Sequence, residues 1–378
     1  MDYSDYSDND SDVGMSFSDA STAPPSPRSA NSELESEGDS VSMRSGSPSS
    51  LLSISSSVKR RSYRHAHGRT MNSSSDVYSY PADEEEIDRL HKQHLFLIEA
   101  TGEKYSPPIY EVMTSALVDG KPKACLDLGC GSGSWIIDFA RDFPESEAVG
   151  VDLVPTLQEN SSIPDNCWSE VDDLNYGMEH FYDRFDIAHG RFIVSGIKDY
   201  RALIDEMSRV LRPRGVLDIC ETDYCVYDIN YQKIVVSPHE LGPPWYARFL
   251  TFASEAATAL GSSTAAIHKI YDWLSEHPGF EEVQYREYWF PVSPWMDKDR
   301  DPFNYKIGGA VRDDILEFLG AVRVLFLRRG HREEVVDELI NNTRYELLQA
   351  KLPCYVRMLS INGRRKADYN PRRRQVPT

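Results

Sequence analysis

Apolar residues at Ile87, Leu90, Leu95 and Ile98 follow a helical period, with His91 and His94 on or beside the same stripe. Asp83, followed three residues later by Glu86, resembles a capping box and gives that helix its start. A second helix is predicted over 107–118, ended by Asp119-Gly120. From Ala124 the pattern becomes short apolar runs alternating with amphipathic ones. Strands are predicted at 124–128, 148–153, 167–171, 185–189 and 216–220, with helices at 134–142 and 200–211 between them. Helical stretches at 245–260 and 264–275 follow, read as an insertion over about 241–278 that shapes a pocket. A strand at 283–290, helices at 313–327 and 332–348, and a last strand at 354–361, expected at the sheet edge, complete the series. This alternation predicts an α/β fold: a mostly parallel, seven-stranded sheet with one antiparallel strand and helices on both faces.

The N-terminal segment reads differently. Residues 1–58 are rich in Ser, Asp, Glu, Pro and Gly, with ten acidic residues against only Arg28 and Arg44. Such a composition cannot bury enough apolar surface to offset its chain entropy, so disorder is predicted for 1–67. The folded domain is expected over 68–366 and a basic tail over 367–378. The formal net charge of −19 argues against nucleic acid as the main substrate, because such binding rests on Lys and Arg. The six cysteines form no C-x-x-C pair and read as reduced thiols, and no metal-ligand spacing stands out. No signal peptide or membrane-spanning run is visible, which points to a soluble protein of the cytoplasm or nucleus. Basic clusters at Lys59-Arg60-Arg61 with Arg64, and at Arg364-Arg365-Lys366 with Arg372-Arg373-Arg374, read as nuclear-import signals or as solvated charge. Ser26-Pro27 and Ser47-Pro48 are candidate phosphorylation sites.

The run ACLDLGCGSGSWIIDF carries the chemistry. A strand feeds a turn with Gly129, Gly131 and Gly133, and the turn opens a helix. That geometry offers backbone N–H groups and a side-chain-free surface to a nucleotide-like ligand. A dinucleotide fingerprint needs glycine where this chain has Ser134, so an NAD site fits poorly. The carboxylate of Asp127 ahead of the loop suits a ligand that brings an ammonium group and no pyrophosphate, a description S-adenosylmethionine meets. Asp152, at the tip of the second strand and 19 positions past Gly133, is placed to accept both ribose hydroxyls. After the third strand, Asp173, or alternatively Asp172, can accept from the adenine amine. At the ends of the fourth and fifth strands, His189 is the first candidate base and Glu221 the next, with Asp223 beside it.

The complete D-x-G-x-G-x-G pattern resembles the class I methyltransferase signature, and L-R-P-x-G at 211–215 is a second signal of that class. Tyr80-Pro81-x-Asp83-Glu84-x-Glu86 with Arg89-Leu90 and Gln93-His94, then LDLGCGSGSW and VGVDL-x-P, resemble the fungal LaeA-like methyltransferases over about 68–366. The resemblance implies a Rossmann-like fold and S-adenosyl-L-methionine held at Asp127, Gly129, Gly131, Gly133 and Asp152. It further implies a small-molecule or protein methyl acceptor in secondary metabolism, or a nuclear regulator associating with velvet-type proteins. Helices ahead of the first strand are expected to cover the cofactor.

Overall fold

The computed structural model describes residues 61–117, 120–157, 162–237 and 240–370, and structure begins ahead of the predicted boundary at 68. β1 (Tyr63–Ala66) and β2 (Arg69–Asn72) pair as an antiparallel hairpin, so 63–66 belong to the fold and not to a disordered tail. The hairpin is fastened where both Asp83 oxygens receive Arg69 at 2.7 Å, a bond that composition does not reveal. Residues 1–60 and 371–378, with Lys59, Arg60, Ser26, Ser47 and Arg372 to Arg374, lie outside the described residues.

Helix α1 (Glu84–Thr101) starts as expected, with Asp83 accepting from the Glu86 N–H at 3.2 Å. Glu86 does not complete the capping box. It is buried and pairs with Arg89 at 2.6 Å, while Arg89 also reaches Asp314 at 2.8 Å, because a buried carboxylate needs a charge partner. Helix α2 (Pro107–Thr114) then leads to β3 (Ala124–Leu128), α3 (Ser134–Asp142), β4 (Glu147–Asp152), β5 (Cys167–Val171) and β6 (Phe185–Arg191). Helix α4 (Tyr200–Val210), capped by Asp199, precedes β7 (Leu211–Thr222) and the two-residue β8 (Tyr227–Asp228). Helices α5 (Trp245–Ala259) and α6 (Ile270–Glu276), β9 (Phe280–Pro291), α7 (Pro302–Arg328), α8 (Glu333–Gln349) and β10 (Cys354–Arg365) complete the chain.

The sheet order is β5-β4-β3-β6-β7-β10-β9, with β8 pairing at the start of β10. Strands β3 to β7 run parallel, and β10 is antiparallel to both β7 and β9. Strand β10 is therefore interior, not an edge strand as predicted. Its residues from Met358 to Arg365 are buried without the alternation of a half-solvated strand, which is the mark of a strand covered on both faces. The L-R-P-x-G segment is also not a turn ahead of a strand: β7 already runs from Leu211, and the register slips between Phe185 and Ile187 where Arg214 takes φ 72°.

One sheet face is covered by α4 and α6, whose Leu203, Met207, Ile270 and Leu274 join Leu126, Leu217 and Ile361 in one core. The other is covered by α2 and α3 through Ile109, Val112, Trp135 and Phe139. Helices α5, α7 and α8 form a separate apolar layer with Phe249, Leu319, Phe326 and Leu339, against which α1 packs through Leu97. The predicted insertion thus divides. Residues 270–276 are a sheet-packed crossover helix, and α5 alone joins the cap with two helices placed after β9.

Arg364 and Arg365 are not a solvated import signal. Arg365 is 3 % exposed and bonds Asp183 at 2.7 Å, and Arg364 bonds Glu282 at 2.9 Å and Glu111 at 3.0 Å. All six cysteines are free, and among the described residues no helix is long and apolar enough to cross a membrane.

Candidate functional site

At the carboxyl ends of β3 and β4 the glycine turn takes the backbone that its composition demands. Gly129, Gly131 and Gly133 have φ of 67°, 55° and 73°, in the left-handed region that side chains avoid. A Cβ on Gly129 would lie 2.6 Å from Ile193 and one on Gly133 2.2 Å from Leu157. Asp152 braces the turn by accepting the Gly131 N–H at 2.9 Å. Gly129, Gly131, Asp152 and Ile193 line a solvent-open cavity of about 900 Å³ together with Asp127, Asp172, Asp173, His189 and Arg191. Leu153, Leu174, Ile193 and Ile197 give it apolar walls of a size to hold a planar base, and no spacing rule singles them out in the sequence.

All seven predicted cofactor residues except Gly133 line this cavity; Gly133 instead starts α3 behind it. Burial pushes Asp127 up to about 6, opposed by His189 and Arg191, and pushes Asp152 to about the same value against the pull of the Gly131 N–H. A positively charged ligand group would draw both back to the ionised form. Asp172 accepts from the Asp173 N–H at 2.8 Å, while one oxygen of Asp173 is taken by Asn175 at 3.0 and 2.7 Å. The covering helix α1 contributes Leu90 and Gln93, and Tyr78 joins them from the segment before it. Helix α2 does not cover the cavity; it packs on the sheet beneath Trp135.

A second cavity of about 1020 Å³ opens beside the first and shares Tyr78, Leu90, Gln93 and Phe192 with it. Its wall is mainly aromatic and aliphatic, with Tyr80, Phe96, Tyr246, Phe290 and Phe318. Its one arginine is fully engaged, since Arg89 is spanned by Glu86 and Asp314. Phe192, at the junction, holds φ 59°, a strained conformation for a bulky residue. Glu221 over-determines that loop: its Oε1 accepts the Ile193 and Val194 N–H groups at 3.0 and 3.1 Å and the Tyr200 hydroxyl at 2.9 Å. Its other oxygen, Oε2, is buried without a partner, and desolvation pushes the carboxyl up to about 8.

The two candidate bases separate. Glu221 lines the second cavity, whereas His189 lines the first. The His189 ring stacks on Trp135 at 3.8 Å and its Nδ1 is 2.8 Å from Asp218, so helix α3 and strand β7 fix it in the wall of the first cavity. Arg191 and Phe192 line the first cavity as well, as their place at the carboxyl end of the fourth parallel strand leads one to expect. Asp223, Cys225 and His268 come within 4.8 Å of one another, but Asp223 is already bonded by Arg357 at 2.6 Å.

This strand order, the glycine cradle at its switch point and an acidic tip on the second strand of the sheet core define a class I S-adenosylmethionine-dependent methyltransferase. The profile of a methyltransferase domain family matches residues 105–259. A secondary metabolism regulator, laeA, of Coprinopsis cinerea is 39 % identical over 318 residues, 84 % of this chain and 77 % of its own. The methyltransferase pytC of Aspergillus terreus is 28 % identical over 71 % of this chain and 76 % of its own. The protein-methionine methyltransferase laeA of Emericella nidulans is 27 % identical over 68 % of this chain and 65 % of its own. Among solved structures, a putative sarcosine dimethylglycine methyltransferase from Galdieria sulphuraria aligns over 78 % of this chain and 94 % of its own, with a TM-score of 0.39 and 12 % identity. The chain belongs to the LaeA-like methyltransferase family.

Proposed function

We propose that the first cavity holds the methyl donor, S-adenosylmethionine, and that the second receives a neutral thioether of the kind a methionine side chain offers. Bound there, the donor supplies an electrophilic methyl group on a sulfonium. In this reading Asp152 accepts the ribose hydroxyls, and Asp172 or Asp173 the adenine amine. Tyr78, Leu90, Gln93 and Phe192 form the passage between donor and acceptor, and aligning two reactants in this way can lower a barrier by about 7–11 kcal/mol.

The observation that carries the acceptor reading is the charge pattern of the second cavity: Arg89, the one basic side chain in its lining, is taken by two carboxylates, so no cation on the wall is left to recognise an anion. The aromatic faces suit an acceptor that becomes a cation, as a thioether does on methylation. Such an acceptor releases no proton and needs no base, which agrees with His189 lying outside the second cavity. The Emericella nidulans relative is itself named a protein-methionine methyltransferase. The biological setting proposed is regulation of secondary metabolism in the nucleus, with velvet-type proteins as partners, in keeping with the Coprinopsis cinerea relative.

The test incubates the full chain with methyl-labelled donor and a panel of methionine peptides, alkylamines and phenols, with Asp152→Ala as the blank. Label is expected on the thioether, and Asp152→Ala is expected to bind donor at least about tenfold more weakly in calorimetry, since a bond to a charged group contributes about 1.5–3 kcal/mol. Label confined to phenols would refute the acceptor reading. Unimpaired donor binding by Asp152→Ala would refute the donor site.

A further inference from the structure

The donor cavity holds a buried carboxylate, Asp127, and a buried guanidinium, Arg191, that feel each other's charge but form no salt bridge. Asp127 is 3 % exposed, and among the described residues no hydrogen bond reaches its carboxylate. Arg191 lines the same cavity, and among the described residues no carboxylate is within ion-pair distance of it. The sheet register sets the two side by side: Asp127 lies opposite His189, and Arg191 is two residues further along the same face of β6. Burying a guanidinium and a carboxylate unpaired is costly unless a ligand completes both. A zwitterion with its ammonium and carboxylate on one carbon does so.

Arg191 is nevertheless held in place. Its Nη2 donates to Nδ1 of His94 at 3.3 Å, and Nε2 of His94 lies 3.2 Å from Asp138. A guanidinium only donates, so Nδ1 must accept, and the ring proton sits on Nε2 and is donated to Asp138. His94 is 1 % exposed, and burial, then the nearby Arg191, lowers its pKa to about 4, which keeps it a neutral acceptor. Lys104 reaches the same Asp138 oxygen at 3.7 Å and Arg141 the other one at 3.5 Å. Through this chain of contacts, the covering helix α1 and the glycine-turn helix α3 both grip the arginine.

Beyond the contact of Asp127 with the donor's ammonium, which the class signature already implies, we infer that Arg191 takes the carboxylate of the donor's amino-acid end and that His94, oriented by Asp138, is the positioning residue that aims it. This inference rests on the donor reading proposed above. Asp127 meets the ammonium, Arg191 meets the carboxylate, and neither contact involves the nucleoside.

Calorimetry on the full chain with two ligands tests it: S-adenosylhomocysteine, which has the amino-acid end, and 5′-methylthioadenosine, which lacks it. Arg191→Met and His94→Leu are each expected to weaken S-adenosylhomocysteine about 10- to 100-fold and to leave 5′-methylthioadenosine unchanged. His94→Asn, whose amide oxygen can still accept from Arg191, should recover most of that loss. Equal weakening of both ligands would reduce His94 to a structural role and overturn the inference, as would undiminished S-adenosylhomocysteine binding by His94→Leu. Wild-type protein that bound neither ligand would overturn the donor reading and the inference with it.

Discussion

Replacing Glu221 by Gln isolates the electrostatics at the junction of the two cavities. Glu221 is 1 % exposed, with three donors on Oε1 and none on Oε2. Desolvation moves its titration from the ordinary 4.5 to about 8 in the folded chain. Below the lower value the carboxyl is protonated in folded and unfolded chains alike and costs nothing. Between the two values the unfolded carboxyl ionises while the folded one keeps its proton, so stability falls as pH rises. Each pH step in that window removes about 1.4 kcal/mol, on the order of 5 kcal/mol by its upper end. Gln cannot ionise, and its oxygen can still accept the three bonds. Its amide N–H, left unpartnered, subtracts a pH-independent amount of about 1–3 kcal/mol. The stability of Glu221→Gln relative to wild type should therefore climb from about pH 5 to about pH 8 and then level off. Thermal melts of both proteins at constant ionic strength measure this difference, at about 2 °C per kcal/mol for a chain of this size. A difference that stays flat across the window, or shrinks as pH rises, refutes the assignment of Glu221 as a buried, protonated brace.

Two further outcomes are expected. Gly133→Ala should destabilise the chain by about 1–3 kcal/mol in denaturant titration, because the new Cβ meets Leu157 at 2.2 Å and φ is 73°; adding Leu157→Ala should relieve the steric part but not the backbone part, and a silent Gly133→Ala would contradict the turn geometry. Arg365→Ala should lower stability by about 1–3 kcal/mol by leaving the Leu211 carbonyl and Asp183 without their donor, whereas normal melting with altered cellular distribution would restore the import reading for that arginine.

The local sequence determined what nearest neighbours decide. A strand, three glycines at alternate positions and an amphipathic helix can close only as a left-handed cradle, so the donor turn was legible in 124–139, and the acidic tip at Asp152 followed from its spacing. Strand period and helix period likewise gave most elements, because backbone hydrogen bonding and one-sided burial act over a few residues. Long-range packing decided the rest. Whether 354–365 sits inside the sheet or at its edge depends on the 280–291 strand pairing beyond it, which no local pattern records. Whether a helix after β7 covers the sheet or the acceptor cavity depends on which hydrophobic layer is left open, so α5 and α6 look alike in sequence and part company in space. The same holds for charge. Arg364 and Arg365 read as surface residues until partners far along the chain pair them, Glu86 and Arg89 do so until Asp314 closes over them, and His94 and Arg191 meet only because α1 folds back over the ends of the strands.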